Sequence, residues 1–456
     1  MKSRYVYKYT LMLLDGAILY GILTLFSVYR TELDFVTEYW YRAILPMVLT
    51  WIVLEAIGGY NIATDMQSLS YTSRHILAIP VVIMLTILTV YLFSYKPSLQ
   101  FSRSVLPAGF LTFLFASLLY RRLINRQLSK ARKKRYFAII GTGEQAQELY
   151  RSYKESSIEQ SLRFFDENDI VIGKPIDDDK SPLVEGSMLE SIAKSKEQCD
   201  GIVITETKIK LNEELFSKLV QFHFTGVPLI PIRAFYEQNF RKMPVFVLNQ
   251  WWLIEDDLLI ASDPIFRRIK NVVDLLLALF LFIITLPLAV MIAFAIALDS
   301  RGSVIYRQQR MGKNERPFTM YKFRTMTEHS DEGDKYVRKE DRRVTRVGRL
   351  LRLMRLDELP QLVNVLRGEM SLIGPRAEWV EIIREYEKKI QFYHFRHIVR
   401  PGITGWAQVN YKYGENIQDT IEKLQYDLYY ISHYSLLLDF DIILKTLYVM
   451  VFGKGR

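Results

Sequence analysis

Cysteine is nearly absent: Cys199 is the only one in 456 residues. A lone thiol rules out an internal disulfide and any zinc site built on several thiolates, and it suits a reducing compartment. Acidic residues are missing where they would be most noticed. From Arg121 to Arg135 there are eight basic residues and no Asp or Glu. Charge of either sign is missing from LAIPVVIMLTILTVYLFSY, residues 77–95. A small-residue cleavage pattern is also missing after the first apolar stretch, so no cleavable signal peptide is expected. What is abundant is apolar residues, 50% of the chain with 13% aromatic, alongside a formal net charge of +10. Such a charge suits an anionic partner of some kind: lipid, nucleic acid or a phosphorylated substrate.

The apolar residues cluster. Four stretches, approximately 8–28, 43–60, 77–95 and 104–120, each approach the ~20 residues that cross a ~30 Å hydrocarbon layer as a helix. Tyr39, Trp40, Tyr41 and Tyr60 bracket the second at the position that amphipathic rings prefer. Lys2, Arg4 and Lys8 precede the first, and the basic run 121–135 follows the last, so both flanks read as cytoplasmic. A transporter is disfavoured, because Asp15 and Glu55 are isolated charges and no charged cluster lies at mid-depth.

Residues 129–255 read as an inserted α/β domain. RYFAIIGTGEQAQEL is a strand running into Gly141-x-Gly143-x-x-Ala146 and a helix, the context of a dinucleotide-type turn. Asp166 or Glu167 could take the ribose position. The glycines equally suit a tight turn and close helix packing, so a purely structural loop stays open. If this loop were the functional centre, the chain would be a membrane-anchored nucleotide-binding regulatory protein.

A further apolar stretch, 272–298, is flanked by Arg267, Arg268 and Lys270 on one side and by Arg301, Arg307, Arg310 and Lys313 on the other. Basic flanks at both ends, with Pro287 near the middle, predict a helix that breaks at Leu286-Pro287 and leaves on the side it entered. From Lys335 to Arg367 there are ten Lys/Arg and four acids. Leucines and valines recur at helical spacing among them, as in a helix lying in the headgroup layer. Within this tract stands Asp357-Glu358, followed by Leu359-Pro360. Spacing alone allows two readings of the pair, an acidic cap or a catalytic dyad.

Several motifs then occur in one order: VIYRQQRMG (304–312), MYKFRTM (320–326), DRRVTRVGRLLR (341–352), LDELPQLVNVLRGEMSLIGPR (356–376), RHIVRPGITGWAQVN (396–410) and EKLQYDLYYISHYSLLLDFDIILKT (422–446). By these the last ~190 residues resemble the bacterial sugar transferases, also called polyprenyl-phosphate hexose-1-phosphate transferases or monotopic phosphoglycosyl transferases. The whole chain resembles their long, exopolysaccharide-initiating form. The resemblance implies transfer of a sugar-1-phosphate from a UDP-sugar to polyprenyl (undecaprenyl) phosphate, with UMP released. It makes Asp357 the nucleophile and Glu358 its partner, with Mg²⁺ held at Asp357 and Glu358. Arg352 and Arg376 would bind phosphate, and Lys322, Arg324 and Arg400 are weaker candidates for the same pocket. Membrane lipids are expected partners, nucleic acid is not, and the long form is compatible with a homodimer. The expected location is the bacterial inner (cytoplasmic) membrane, multi-pass, with the active site facing the cytoplasm. Two departures are visible: Ala377 where many relatives have proline after GPR, and Tyr411-Lys412 where many have Gly-Arg. The expected architecture is an α-helical membrane protein with four helices over 1–128 and a Rossmann-like domain over 129–255. A mainly α catalytic domain over 262–456 follows, with its re-entrant helix at about 272–298 and interfacial amphipathic helices.

Overall fold

The computed structural model describes residues 2–29, 40–61, 64–93, 104–156, 158–166, 170–186, 198–205, 213–248, 263–327, 343–411 and 416–452. Tyr39, Glu167, Lys412 and the part of the basic tract at 335–342 lie outside the described residues. The chain divides into two compact units, Met1–Arg135 and Tyr136–Arg456.

The first unit is helical: α1 (Lys2–Tyr29), α2 (Ile44–Ala56), α3 (Leu69–Phe93) and α4 (Val105–Arg132). Leu19, Leu23, Leu54, Phe110 and Phe113 form its interior, yet Leu13, Leu25, Phe115 and Leu119 are more than half exposed. Helices apolar on every face need an apolar medium around them. Val6–Tyr29, Leu69–Thr89 and Val105–Leu128 are long and apolar enough to cross a membrane. The second expected stretch forms only the 13-residue α2. It stops because Gly58 adopts φ +78° and its N–H turns back to the Glu55 carbonyl, a glycine helix stop. Neither Asp15 nor Glu55 is isolated. Arg121 donates two hydrogen bonds to Asp15, which also accepts from Tyr60 and Tyr120, and the pair is fully buried. Glu55 pairs with Lys8 at 2.5 Å. The two hydroxyls satisfy Asp15, while among the described residues the Arg121 Nε has no hydrogen-bond partner, and a buried pair of this kind adds little net stability.

The second unit opens with a parallel sheet ordered β2-β1-β3-β4: β1 (Tyr136–Ile140), β2 (Ser161–Phe165), β3 (Cys199–Ile204) and β4 (Leu229–Pro231). Alternate residues of β1 serve opposite cores. Phe137 and Ile139 join Leu149, Phe164 and Phe235, while Tyr136, Ala138 and Ile140 join Phe165, Ile202 and Leu219. Burial on both faces is what makes β1 read as an unbroken apolar run. Helices α5 (Glu144–Lys154), α6 (Glu213–Phe224) and α7 (Ile232–Asn239) cover it.

Beyond it lies α8 (Pro264–Asp299), 36 residues that stay helical across Leu286-Pro287, where the sequence predicts a break. Its start is capped by Asp263, whose carboxylate accepts the Ile265 N–H, with proline at the first helical turn, where no N–H partner is lost. The antiparallel hairpin β5 (Ile305–Met311) and β6 (Pro317–Phe323) follows. Then come α9 (Arg346–Met354), a 3₁₀ turn (Leu356–Glu358), α10 (Gln361–Leu366), β7 (Ser371–Ile373), α11 (Val380–Lys389), a 3₁₀ turn (Tyr393–His397), β8 (Gly402–Thr404), α12 (Trp406–Asn410), α13 (Ile417–Ser432) and α14 (Leu436–Phe452). Leu424, Leu428, Ile431 and Ile442 from α13 and α14 form the largest core here, together with Trp406 and Tyr393.

Candidate active site

The Asp357-Glu358 pair sits where α9 ends and α10 has not yet begun. Thr345 caps α9 by accepting the Gly348 N–H, and Asp299 accepts the Val347 N–H. A Cβ on Gly348 would fall 2.2 Å from the Thr325 carbonyl oxygen, so only glycine lets α9 lie this close to the strand end. Arg355 ends the helix in the left-handed conformation, φ 59°, which is uncommon for a residue with a side chain. The 3₁₀ turn then presents both carboxylates, Asp357 half-buried and Glu358 8% exposed.

Cations close round them. Lys322, on β6, donates to Glu358 at 3.1 Å, and Arg376 lies 3.9 Å from the same oxygen. Arg352 donates through Nε to Thr325 at 2.8 Å. Burial pushes the Asp357 carboxyl above its ordinary range and the charge of Glu358 adds to this, against the opposing pull of Lys322, Arg352 and Arg355. Burial acts on Glu358 in the same direction, but Lys322, Arg376 and Arg355 together outweigh it and hold its carboxyl low. One carboxylate is thus committed to its cations and the other is the more readily protonated. Both offer hard oxygen donors, and a dication would relieve the repulsion that raises Asp357, so the pair fits Mg²⁺ chemically.

Two supports stand outside the residues expected from the sequence. Asn364, fully buried in α10, accepts the Tyr321 N–H and donates to the Thr319 carbonyl and to Glu369. It thereby clamps α10 to β6 and sets Lys322 opposite Glu358. The only signal was one amide in the apolar run LVNVL. Arg376 is braced from behind, where Arg396 donates to its carbonyl and forms a buried pair with Asp427 at 2.8 Å. The strands before Arg376 and after Arg400 run backbone to backbone. A Cβ on Gly402 would stand 2.1 Å from the Gly374 nitrogen, which is why GPR and RPG both carry or adjoin glycine.

Of the expected phosphate-binding residues, Lys322, Arg352 and Arg376 gather at the pair. Arg324 is buried and donates to the carbonyl and hydroxyl oxygens of Ser300. Arg400 donates to Asn271 and lines a cavity of about 330 Å³ with Arg267, Arg268, Lys313 and Ser371. None of the residues around Asp357 named above lines that cavity. Ala377 is buried and its carbonyl accepts from Arg310. The Tyr411 hydroxyl donates to Asp419. In the α/β sheet, Gly141 (φ +100°) follows β1, Gly143 caps α5, and Ala146 is fully buried. Asp166, at the end of β2, accepts from the Thr142 hydroxyl at 2.5 Å.

The family model for bacterial sugar transferases matches residues 265–453. The UDP-N-acetylgalactosamine-undecaprenyl-phosphate N-acetylgalactosaminephosphotransferase of Aeromonas hydrophila is 45% identical over 197 residues, which are 43% of this chain and 47% of that protein. The UDP-glucose:undecaprenyl-phosphate glucose-1-phosphate transferase of Xanthomonas campestris pv. campestris is 41% identical over 217 residues, 47% of this chain and 43% of that one. The chain therefore matches less than half the length of each. A third relative, the exopolysaccharide production protein PSS of Rhizobium leguminosarum bv. phaseoli, is 37% identical over 195 residues that make up 98% of its length.

Proposed function

The chain belongs to the bacterial sugar transferase family, and from that premise we propose that it transfers a sugar-1-phosphate from a UDP-sugar to polyprenyl phosphate. The observation that carries the reading is the half-buried Asp357 carboxylate beside Glu358, faced by Lys322, Arg352 and Arg355. In the first step an Asp357 oxygen attacks the β-phosphorus of the donor, the bond from that phosphorus to the bridging oxygen breaks, and UMP leaves with the electron pair. The phosphosugar stays on Asp357 as an acyl phosphate. In the second step a phosphate oxygen of the polyprenyl carrier attacks the same phosphorus and the carboxylate departs, giving polyprenyl-diphospho-sugar. Lys322, Arg352 and Arg376 bind phosphate oxygens, and the planar guanidinium groups suit that geometry. Asp357 and Glu358 would hold Mg²⁺, which supplies charge neutralisation at the phosphates when bound.

The acceptor is a lipid, so the site belongs at a membrane surface. We infer that α8 is re-entrant, bending at Leu286-Pro287 within the helix, with the active site on the cytoplasmic side of the inner membrane. Support comes from how the helix is fastened. Near its start, Lys270 donates to Asp439 at 2.7 Å and Ser371 donates to Asp274 at 2.5 Å. At its end, Asp299 binds α9 and Ser300 binds Arg324. Both ends thus hold the same folded region, while Phe280, Ile283, Val290 and Met291 between them are at least 60% exposed. A spanning helix would have to place its two ends on opposite faces. Helix α9 adds Leu350, Leu353 and Met354, all exposed beside its arginines, as a headgroup-level contact. The parallel sheet and its Gly141-x-Gly143-x-x-Ala146 turn support a Rossmann-like origin for the inserted domain.

The test is Asp357→Asn with donor labelled in the β-phosphate. The parent should accumulate labelled protein when acceptor is withheld and release UMP. The variant should do neither while remaining folded and membrane-bound. Near-normal turnover in the variant would refute the nucleophile. A panel of UDP-sugars including UDP-glucose and UDP-N-acetylgalactosamine, the donors in the relatives' names, would identify the sugar.

A further inference from the structure

The turn between β5 and β6 carries a residue its backbone disfavours. Asn314 (φ 51°) and Glu315 (φ 57°) both lie in the left-handed region, where tight hairpins ordinarily place asparagine followed by glycine. The Glu315 side chain has company. Its carboxylate, the carboxylate of Glu387 on α11 and an imidazole nitrogen of His397 all lie within 4.8 Å of one another. Three separate elements therefore converge there. His397 is 7% exposed, and among the described residues its Nδ1 has no hydrogen-bond partner. A buried ring nitrogen left unsatisfied is costly, and two carboxylates this close repel each other unless something positive lies between them.

We propose that Glu315, Glu387 and His397 form a binding site for a divalent first-row metal ion of the zinc class, separate from the Asp357-Glu358 pair. One imidazole and two carboxylates make a donor set for zinc with a fourth position open to water, whereas magnesium takes oxygen donors. Bonds of about 2.0–2.2 Å would set the donor atoms roughly 3.4 Å apart. Glu315 and Glu387 are exposed, so side-chain rotation would close the gap. The bound ion would tie the hairpin turn to α11 and to the 393–397 turn. It would thereby steady the hairpin whose second strand carries Lys322.

The experiment uses the full chain in detergent, stripped with chelator and then titrated with Zn²⁺ alone, with bound metal counted by elemental analysis. The parent should bind one zinc that Asp357→Asn still binds. Glu315→Gly should lose it, with affinity falling tenfold or more, and since glycine suits that backbone the metal-free variant should melt no lower than the parent. Glu387→Gln should lose it as well. Unchanged zinc stoichiometry and affinity in both variants would overturn the site. So would a parent that takes up no zinc beyond what Asp357→Asn abolishes.

Discussion

Asp357 and Glu358 share a turn yet are driven in opposite directions, and the cause is placement rather than residue type. Glu358 points at Lys322 and Arg376, while Asp357 bears burial and the charge of its neighbour. The sign of the pH response follows. If the ionised Asp357 is the reactive form, activity falls as pH drops through its raised pKa. In Glu358→Gln one of the two raising influences is gone, so the Asp357 pKa falls and the acid limb of the rate profile should move to lower pH. Turnover by this variant will be reduced, and the limb's position is read from rates normalised to their own maximum. An acid limb that moves upward or stays put would show that the two carboxylates do not couple as their positions imply. At this scale the sequence was partly legible. The acidic pair, Lys322, Arg352 and Arg376 stand in recognisable motifs, but Arg400 carries an equally recognisable motif and lines another cavity. A motif records which residue types recur, whereas the direction a side chain takes depends on partners such as Asn271, which stands 129 positions away.

Among the elements, α8 tests how far hydropathy reaches. Length and apolarity alone would make it a spanning helix; the basic flanks and the ion pairs and hydrogen bonds at its two ends argue for the proposed re-entry. If laid straight, 36 residues at 1.5 Å each would reach about 54 Å, well beyond a ~30 Å hydrocarbon core, so a straight span would carry one tethered end away from the domain that holds it. Topology can be read with single cysteines, since Cys199→Ser leaves none. Cysteines placed at Asp263 and at Gly302 should both react with an impermeant maleimide in inverted inner-membrane vesicles and both be protected in intact cells. Reaction of one site from each side would establish a span. Composition also overstates α2: apolar content continues to Tyr60, but the left-handed Gly58 ends the helix, and a glycine in an apolar run signals a stop only where the backbone takes that conformation.

At the level of the molecule, the α/β sheet and the transferase region are joined by more than chain continuity. Just after α7, Lys242 forms a buried pair with Glu422 of α13 at 2.6 Å, and the Met243 N–H donates to the Gln425 carbonyl. Trp406 donates through Nε1 to the Arg241 carbonyl. Met243, Val245 and Leu248 belong to the same core as Leu424, Leu428 and Ile442. Nothing in composition announces this strap, because residues 240–248 look like the tail of the preceding domain and their hydrogen-bond partners lie 165 to 182 positions later. A relative 98% covered by its match to this chain contains little beyond the transferase region, so a fragment from residue 262 should fold and retain transfer. In this chain, however, that fragment uncovers a core face and leaves Glu422 without its cation. Each lost apolar side chain is worth about 1.5–3 kcal/mol, and breaking a buried pair about 3–5 kcal/mol. At roughly 2–4 °C per kcal/mol for a region of this size, the fragment from 262 should melt at least about 10 °C below one beginning at 240, measured in the same detergent. Equal melting temperatures would mean that the strap merely rests on the transferase and that its core closes without it.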